Sequence, residues 1–150
     1  MFKKCLKYDQ SLLTLLMQAD PSEANVKKHF EDGECYCMMQ QHTMVGAYIF
    51  VERDSATAEI VCIAVSEEWQ GRGIGKQLIA HAVELTAQRG YKRLEVGTGN
   101  SSIDQLAFYQ KCGFRITGVE TNFFLDHYAE PIYENGIQCM DMVRLSKALV

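Results

Sequence analysis

The segment Val65-Ser66-Glu67-Glu68-Trp69-Gln70-Gly71-Arg72-Gly73-Ile74-Gly75-Lys76 decides the fold and indicates a ligand. It joins an apolar, strand-like run to a helical run, and three alternate glycines stand where the helix is predicted to begin. Glycine permits positive φ and lets a ligand approach the backbone without meeting a Cβ atom. The free N–H groups and the dipole of a helix N-terminus bind anions, and Arg72 and Lys76 add positive charge. The segment therefore predicts a site for a pyrophosphate group.

Two other phosphate-binding loops fit this segment less well. A Walker loop would need Gly at position 70 and Ser or Thr at position 77, where Gln70 and Gln77 stand. The dinucleotide fingerprint Gly-x-Gly-x-x-Gly would place its third glycine one residue later, near the start of a parallel sheet. A glycine-rich turn without a ligand is the plain alternative, but three glycines at a helix start cost roughly 1 kcal/mol each relative to alanine.

The sequence before this segment predicts two helices and an antiparallel meander. Apolar residues recur at helical spacing over Ser11–Ala19, and Ser22 is a predicted N-cap for a helix that ends near Phe30. Three β-branched and aromatic runs follow, with gaps short enough for hairpins: Cys35–Gln40, Thr43–Arg53 and Ala58–Val65. The third run is apolar on both faces after Glu59, which is typical of a central strand.

Beyond the segment, predicted helices and strands alternate. They are a helix over about Gly73–Gln88, a strand over Leu94–Gly97, a helix over Ser102–Lys111, and strands over Phe114–Phe124 and Gln138–Leu145. Residues 125–137 are predicted to be irregular. We therefore expect a single domain over residues 1–150 with an α+β fold, flanked by about four helices. Its mixed central sheet would be mostly antiparallel, and parallel only between the strands that end at Val65 and Gly97.

The composition predicts a soluble globular protein and argues against several classes of partner. Hydrophobic residues make up 47% and charged residues 23% of the chain, which is ordinary for a domain with an apolar core. No apolar run is long enough to cross a bilayer and no signal-peptide pattern follows Met1, so we expect no membrane partner and a cytoplasmic location. A net charge of −4 without a Lys/Arg cluster argues against nucleic-acid binding.

The six cysteines show no metal-binding pattern. Cys35 and Cys37 are two residues apart, but two ligands on one strand do not complete a tetrahedral site. We therefore expect reduced structural thiols and no metal. Cys62 and Glu59 are separated by an odd number of residues and face opposite sides of a regular strand, so a cysteine nucleophile is not expected.

Two stretches of the sequence resemble motifs of the GNAT superfamily of N-acetyltransferases. Gln70-Gly71-Arg72-Gly73-Ile74-Gly75 resembles that family's Q/R-x-x-G-x-G/A loop, and Ala107-Phe108-Tyr109-Gln110-Lys111-Cys112-Gly113-Phe114 is similar to a second motif. Both occur in the family's order, and the resemblance extends from about Thr43 to Ser146. It implies an enzyme that uses acetyl-CoA as cosubstrate to acetylate an amine. It also implies a sheet that splays open where Ala58–Val65 and Leu94–Gly97 diverge.

The resemblance implies where coenzyme A would bind. The pantetheine arm lies in the splay in relatives, and by position its backbone contacts fall on Ile63, Ala64 and Val65. The backbone N–H groups that would hold the pyrophosphate are those of Gln70, Gly71, Arg72, Gly73, Ile74, Gly75 and Lys76. Family members often place an asparagine seven residues before the motif tyrosine. Ser102 stands there and Asn100 precedes it by two residues, so either is a candidate contact.

The resemblance also suggests a base and an acid for the reaction. Glu59 lies eleven residues before Gln70, the spacing of the glutamate base in histone-modifying members, and would act directly or through a water. The alternative is a glutamate at the edge of the sheet that faces solvent. Tyr109 is the candidate acid for the thiolate of CoA, and the alternative is a tyrosine that only packs on the sheet. A backbone N–H near Val65 would meet the oxyanion.

The acceptor is an amine of a small molecule or peptide that the sequence does not identify. In this fold the segment Phe123–Tyr133 is expected to flank the acceptor pocket, and its alternative roles are closing the core or forming a dimer contact. The candidate wall and charge residues are Phe123, Phe124, Tyr128, Tyr133, Asp126, Glu130 and Glu134. Relatives are often dimers, so a homodimer is a candidate assembly.

A second functional hypothesis belongs to a different class. A non-catalytic module of the same fold that binds or senses acyl-CoA would keep the glycine segment and would need neither Glu59 nor Tyr109. The presence of both residues favours the enzyme.

Overall fold

The computed structural model describes residues 1–149 and consists of a central sheet with helices on both faces. The first half contains β1 (Phe2–Lys4), α1 (Gln10–Leu16), α2 (Glu23–Asp32), β2 (Glu34–Gln40), β3 (Thr43–Asp54), β4 (Thr57–Val65), a 3-10 turn (Glu67–Trp69) and α3 (Ile74–Gln88). The second half contains β5 (Arg93–Gly99), α4 (Ile103–Lys111), β6 (Arg115–Glu120), α5 (Phe123–His127), β7 (Tyr133–Glu134), β8 (Ile137–Gln138) and β9 (Met142–Ala148).

The sheet has the predicted mixed topology. Its seven strands lie in the order β1-β2-β3-β4-β5-β9-β6. Only β4 and β5 pair in parallel among the described strands, with Thr57–Ile60 opposite Arg93–Val96. Past Ile60 and Val96 these two strands no longer pair, whereas β4 continues to pair with β3 up to Val65. The sheet therefore opens at one end of β4, and the expected α+β fold with a splayed sheet is confirmed.

Two apolar layers, one on each face of the sheet, hold the helices. α3 buries Leu78, Ile79 and Ala82 on one face, because these residues lie at helical spacings on one side of the helix. α1 and α2 bury residues such as Leu16 and Val26 on the other face. No helix within residues 1–149 combines the length and the apolar composition that a membrane crossing requires.

The local signals at the start of α2 are confirmed. Ser22 precedes the helix with an extended backbone, and its Oγ accepts a hydrogen bond from the Asn25 N–H at 3.3 Å. This satisfies one of the N–H groups that a helix N-terminus leaves unpaired.

The structure differs from the predicted elements in four places. The strand predicted over Gln138–Leu145 lies at Met142–Ala148, and Gln138 belongs to β8 instead. The strand predicted over Phe114–Phe124 ends at Glu120, because Asn122 adopts a left-handed φ of 66° and α5 begins behind it. The segment predicted to be irregular contains the small hairpin of β7 and β8, whose turn residues Asn135 and Gly136 have φ values of 56° and 74°. Such an Asn-Gly turn matches the twist of a two-stranded hairpin. The strand β1 was not predicted, because Phe2-Lys3-Lys4 is too short to show a pattern.

Candidate active site

A groove opens where β4 leaves β5, and most of the predicted cosubstrate residues line it. Its volume is about 530 Å³. The predicted residues in its lining are Ile63, Ala64, Val65, Gln70, Gly71, Gly73, Ile74, Gly75 and Lys76. Residues that the sequence analysis did not single out complete it: Gln18, Ala19, Trp69, Gln105 and Phe108. We call this cavity the donor groove.

The glycine segment presents free backbone N–H groups to the donor groove. Gly71 and Gly73 have φ values of 77° and 80°, and Gly73 is the N-cap of α3. The first helical hydrogen bond of α3 runs from the Gln77 N–H to the Gly73 carbonyl, at 3.2 Å. The N–H groups of residues 74–76 therefore have no carbonyl partner within the helix. A helix N-terminus of this kind attracts anions.

Side chains of the same segment fix its shape. Gln70 Nε2 donates to the Val65 carbonyl at 3.1 Å and so ties the loop to the end of β4. A Cβ atom on Gly75 would lie 3.2 Å from Cζ of Phe108, so glycine allows α4 to approach closely here. Arg72 stacks on the Trp69 ring at 4.8 Å and does not line the groove.

Tyr109 lies in the wall of the donor groove. Its side chain is 3% exposed, and its ring packs edge-on against Phe114, with centroids 5.9 Å apart. Burial is the main cause that raises the pKa of the Tyr109 hydroxyl above its ordinary value of 10. The hydroxyl is therefore protonated at neutral pH, and within residues 1–149 no hydrogen bond occupies it. Tyr109 thus holds an available proton at the edge of this cavity.

Glu59 does not share a cavity with Tyr109. Its carboxylate is buried and lies beside the paired part of β4, where Arg53 Nε donates to one oxygen at 2.7 Å. Arg144 Nη1 donates to the other oxygen at 2.8 Å. These groups line a separate open groove beside β6. The expected position of Glu59 beside the thioester is therefore not supported, and Glu59 is not the solvent-facing glutamate of the alternative either.

Asn100 and Ser102, the other predicted contacts, also lie outside the donor groove. Asn100 Oδ1 accepts from the N–H groups of Met140 and Asp141 at 2.8 and 3.0 Å. Asn100 therefore holds the segment before β9 in place through two hydrogen bonds. Ser102 Oγ donates to Glu134 Oε1 at 2.7 Å. Both contacts join residues more than 30 positions apart, and no local sequence pattern indicates them.

A second cleft of about 360 Å³ adjoins the donor groove. The two cavities share the residues Gln18, Ala19 and Gln105. The second cleft has a mixed lining, in which Phe124, Ile132 and Met142 are apolar and Asp20 and Glu134 are acidic. Within Phe123–Tyr133, the segment expected to flank the acceptor, Phe124, Tyr128 and Ile132 reach this lining, and so does the candidate Glu134 that follows the segment. We call it the acceptor cleft.

The connection between α1 and α2 supplies four lining residues that the sequence analysis did not single out. Gln18, Ala19, Asp20 and Pro21 line the acceptor cleft from this connection. Asp20 Oδ1 accepts from the Ser22 N–H at 2.9 Å and from the Tyr128 hydroxyl at 3.0 Å. Burial and the nearby Asp20 carboxylate raise the pKa of Tyr128 to about 12. The only local signal for this connection was the turn chemistry of Asp20-Pro21.

Comparison with known proteins gives consistent results. The model of the acetyltransferase (GNAT) family matches residues 8–114. The uncharacterized N-acetyltransferase YvbK of Bacillus subtilis is 50% identical over 137 residues, which are 91% of this chain and 88% of that protein.

Two solved structures share both the fold and substantial sequence identity. A GNAT family acetyltransferase from Elizabethkingia anophelis, with acetyl-CoA bound, has a TM-score of 0.96 and 41% identity, covering 99% of this chain and 97% of that one. An acetyltransferase from Bacillus subtilis in complex with CoA has a TM-score of 0.94 and 47% identity, covering 99% and 98%.

Proposed function

The chain belongs to the acetyltransferase (GNAT) family and is an N-acetyltransferase, and we propose that it transfers acetyl directly from acetyl-CoA to a primary amine. Two similar structures contain acetyl-CoA or CoA. The observation that carries the proposal is the lining of the donor groove. It combines the helix N-terminus of the glycine segment, the unpaired edge of β4 and the buried Tyr109 in one cavity.

The residues present fit two parts of acetyl-CoA, the pyrophosphate and the pantetheine arm. The free N–H groups of residues 74–76 and the charge of Lys76 suit the pyrophosphate. The edge of β4 over Ile63–Val65 has no strand beside it, so its backbone groups are available to the amides of the pantetheine arm. Burying such backbone groups without a partner would be unfavourable, which is consistent with a ligand that pairs with them.

The chemistry requires a neutral amine and a proton for the leaving thiolate. The amine nitrogen attacks the carbonyl carbon of the thioester, a C–N bond forms and the C–S bond breaks. A backbone N–H near Val65 would stabilise the negative charge on the carbonyl oxygen. The Tyr109 hydroxyl would donate its proton to the sulfur.

The proton of the acceptor amine needs a different route. The Glu59 carboxylate is held by two guanidinium groups and lies outside the donor groove. This geometry gives no support for Glu59 as the general base, and we assign that role to no side chain. We propose that the proton leaves to water through the open acceptor cleft.

The test is a binding titration paired with an assay of turnover. We expect calorimetry to show acetyl-CoA binding with a Kd between about 1 μM and 1 mM. A thiol reagent should then detect CoA release when a panel of amines is added. Binding without release by any acceptor would support the non-catalytic sensor instead. An absence of binding would contradict the assignment of the donor groove.

A further inference from the structure

The two adjoining cavities carry opposite formal charges. Within residues 1–149, Lys76 is the charged side chain in the lining of the donor groove. The acceptor cleft is lined by Asp20 and Glu134, and by no lysine, arginine or histidine of the described chain. The donor groove therefore suits the anionic cosubstrate, and the acceptor cleft suits a cation.

The two carboxylates of the acceptor cleft are fixed by protein hydrogen bonds, and each keeps one oxygen outside those bonds. Asp20 uses Oδ1 for the Ser22 N–H and the Tyr128 hydroxyl. Glu134 uses Oε1 for the hydroxyl of Ser102 at 2.7 Å. Oδ2 of Asp20 and Oε2 of Glu134 take part in none of these contacts. Each of these oxygens can accept a hydrogen bond from an ammonium group while the other oxygen of the same carboxylate keeps its bonds to the protein.

A nitrogen bound by these carboxylates is a poor nucleophile. Neighbouring negative charge favours the protonated form of an amine, whereas attack on a thioester needs the neutral form. The carboxylates therefore suit a cationic group of the acceptor that does not react. The region shared with the donor groove is formed by Gln18, Ala19 and Gln105, which carry no charge. The reacting amine would lie there.

The hydroxyl groups in the lining of the cleft already donate to partners within the protein: Thr98 to Gln105 at 3.0 Å, Ser102 to Glu134 at 2.7 Å and Tyr128 to Asp20 at 3.0 Å. Phe124, Ile132 and Met142 contribute side chains to the walls of the cleft. Apolar side chains and hydroxyl groups whose protons are already donated suit a methylene chain better than a polar linker. The cleft of about 360 Å³ has room for a short chain of this kind.

We propose that the acceptor is an aliphatic diamine or short polyamine. One amine reaches the donor groove and is acetylated, while the second, as an ammonium ion, is bound between Asp20 and Glu134. This inference rests on the proposed function, because it names the substrate class of that same site.

The test compares three acceptors that differ only in their far end. They are 1,5-diaminopentane, pentylamine and 5-aminopentanoate, with a positive, neutral and negative far group. We expect kcat/KM to be about tenfold higher for the diamine than for pentylamine, because charge-assisted hydrogen bonds are strong, and lowest for the amino acid.

Two nearly isosteric variants test whether the preference for the diamine depends on the charges of Asp20 and Glu134. Asp20→Asn and Glu134→Gln keep the oxygens that accept the protein hydrogen bonds and remove the charge. Each should lower kcat/KM for the diamine about fivefold to tenfold more than kcat/KM for pentylamine, which has no second ammonium group. The charge-matched control is Glu31→Gln, an exposed position on α2 outside both cavities.

The failures of the two proposals are distinguishable. Equal turnover of diamine and monoamine, or equal losses for both acceptors in the two variants, would overturn the diamine while acetyl transfer stands. Binding of acetyl-CoA without turnover of any of the three amines would overturn it as well. A chain that does not bind acetyl-CoA at all would refute the proposed function itself.

Discussion

The two ends of β4 differ in the number of strands that pair with them. Over Thr57–Ile60 the strand pairs with β3 and β5 on both sides, and the Glu59 carboxylate is bound by two arginines. Over Ile63–Val65 it pairs with β3 alone, and its other edge faces the donor groove. One end therefore joins the two halves of the sheet, and the other has backbone groups that pair with no strand on one side.

Because of this contrast, the number of residues between two motifs and the positions of the cavities point to different parts of β4. Glu59 stands at the expected distance from Gln70 along the chain. However, Glu59 and Ile63 lie opposite Val51 and Tyr48 of β3, which are three residues apart, or about 10 Å along a strand. Tyr109 lines the cavity at the Ile63 end. The chemistry is expected where strand pairing stops, and the following substitutions test that expectation.

Tyr109→Phe should have the largest effect. It removes the proton donor from the donor groove, and we expect kcat to fall by about 100-fold while the KM for acetyl-CoA changes little. Folding should be almost unaffected, because the hydroxyl has no hydrogen-bond partner within residues 1–149.

Tyr91→Phe is the matched control for Tyr109→Phe. It removes a hydroxyl that donates to Glu52 at 2.6 Å, away from both cavities. Steady-state kinetics should show wild-type turnover for this variant. An unchanged kcat in Tyr109→Phe would remove Tyr109 from the acid role.

Gly73→Ala should have an intermediate effect on activity. Its φ is 80° and a Cβ atom would meet nothing within 4 Å, so the cost is backbone strain of about 1–2 kcal/mol rather than a clash. Relief of that strain would shift the N–H groups of the glycine segment. We expect the Kd for acetyl-CoA, measured by calorimetry, to rise about fivefold.

Gly90→Ala is the control that separates the effect of backbone strain on stability from an effect on acetyl-CoA binding. Gly90 has a φ of 90° with equally open space, but it lies beyond the other end of α3. Both variants should lose similar free energy of unfolding in urea, and only Gly73→Ala should weaken binding. Equal affinities in the two variants would mean that the glycine segment does not bind the cosubstrate.

Local patterns in the sequence predicted the framework well. The N-cap at Ser22, the helix start at the glycine segment and the single parallel pair all depend on neighbouring residues or on strand order, so they could be read from the chain. Most of the donor groove followed from the same segment.

The remaining contacts could not be predicted, because they join distant residues. Arg144 lies 85 positions from Glu59, and Tyr128 lies 108 positions from Asp20. Asn100 bonds to the chain about 40 positions later. Which side chain meets such a partner depends on the register between strands and on the path of loops. Neither the register between strands nor the path of a loop is indicated by a pattern of neighbouring residues.

Glu59→Gln should have the smallest effect on catalysis, although it removes the residue that resemblance singled out as the base. The substitution leaves Arg53 and Arg144 beside a neutral amide, and we expect a loss of about 2 kcal/mol in the free energy of unfolding. This value is below that of a fully buried pair, because Arg53 is half exposed. Glu95→Gln, in the same groove, is the control for removing a charge there.

The pH dependence of kcat/KM separates the two roles of Glu59. An acceptor amine with a pKa of about 10.4 gains its neutral form as pH rises, so kcat/KM should increase about tenfold per pH unit across the neutral range. If the proton leaves to water, kcat/KM of Glu59→Gln should rise with pH at the same slope as that of the wild type. Glu59→Gln and Glu95→Gln should then both have turnover rates close to wild type. A flattened or displaced profile in Glu59→Gln alone would restore Glu59 as the base. It would also mean that the paired end of β4 takes part in the chemistry.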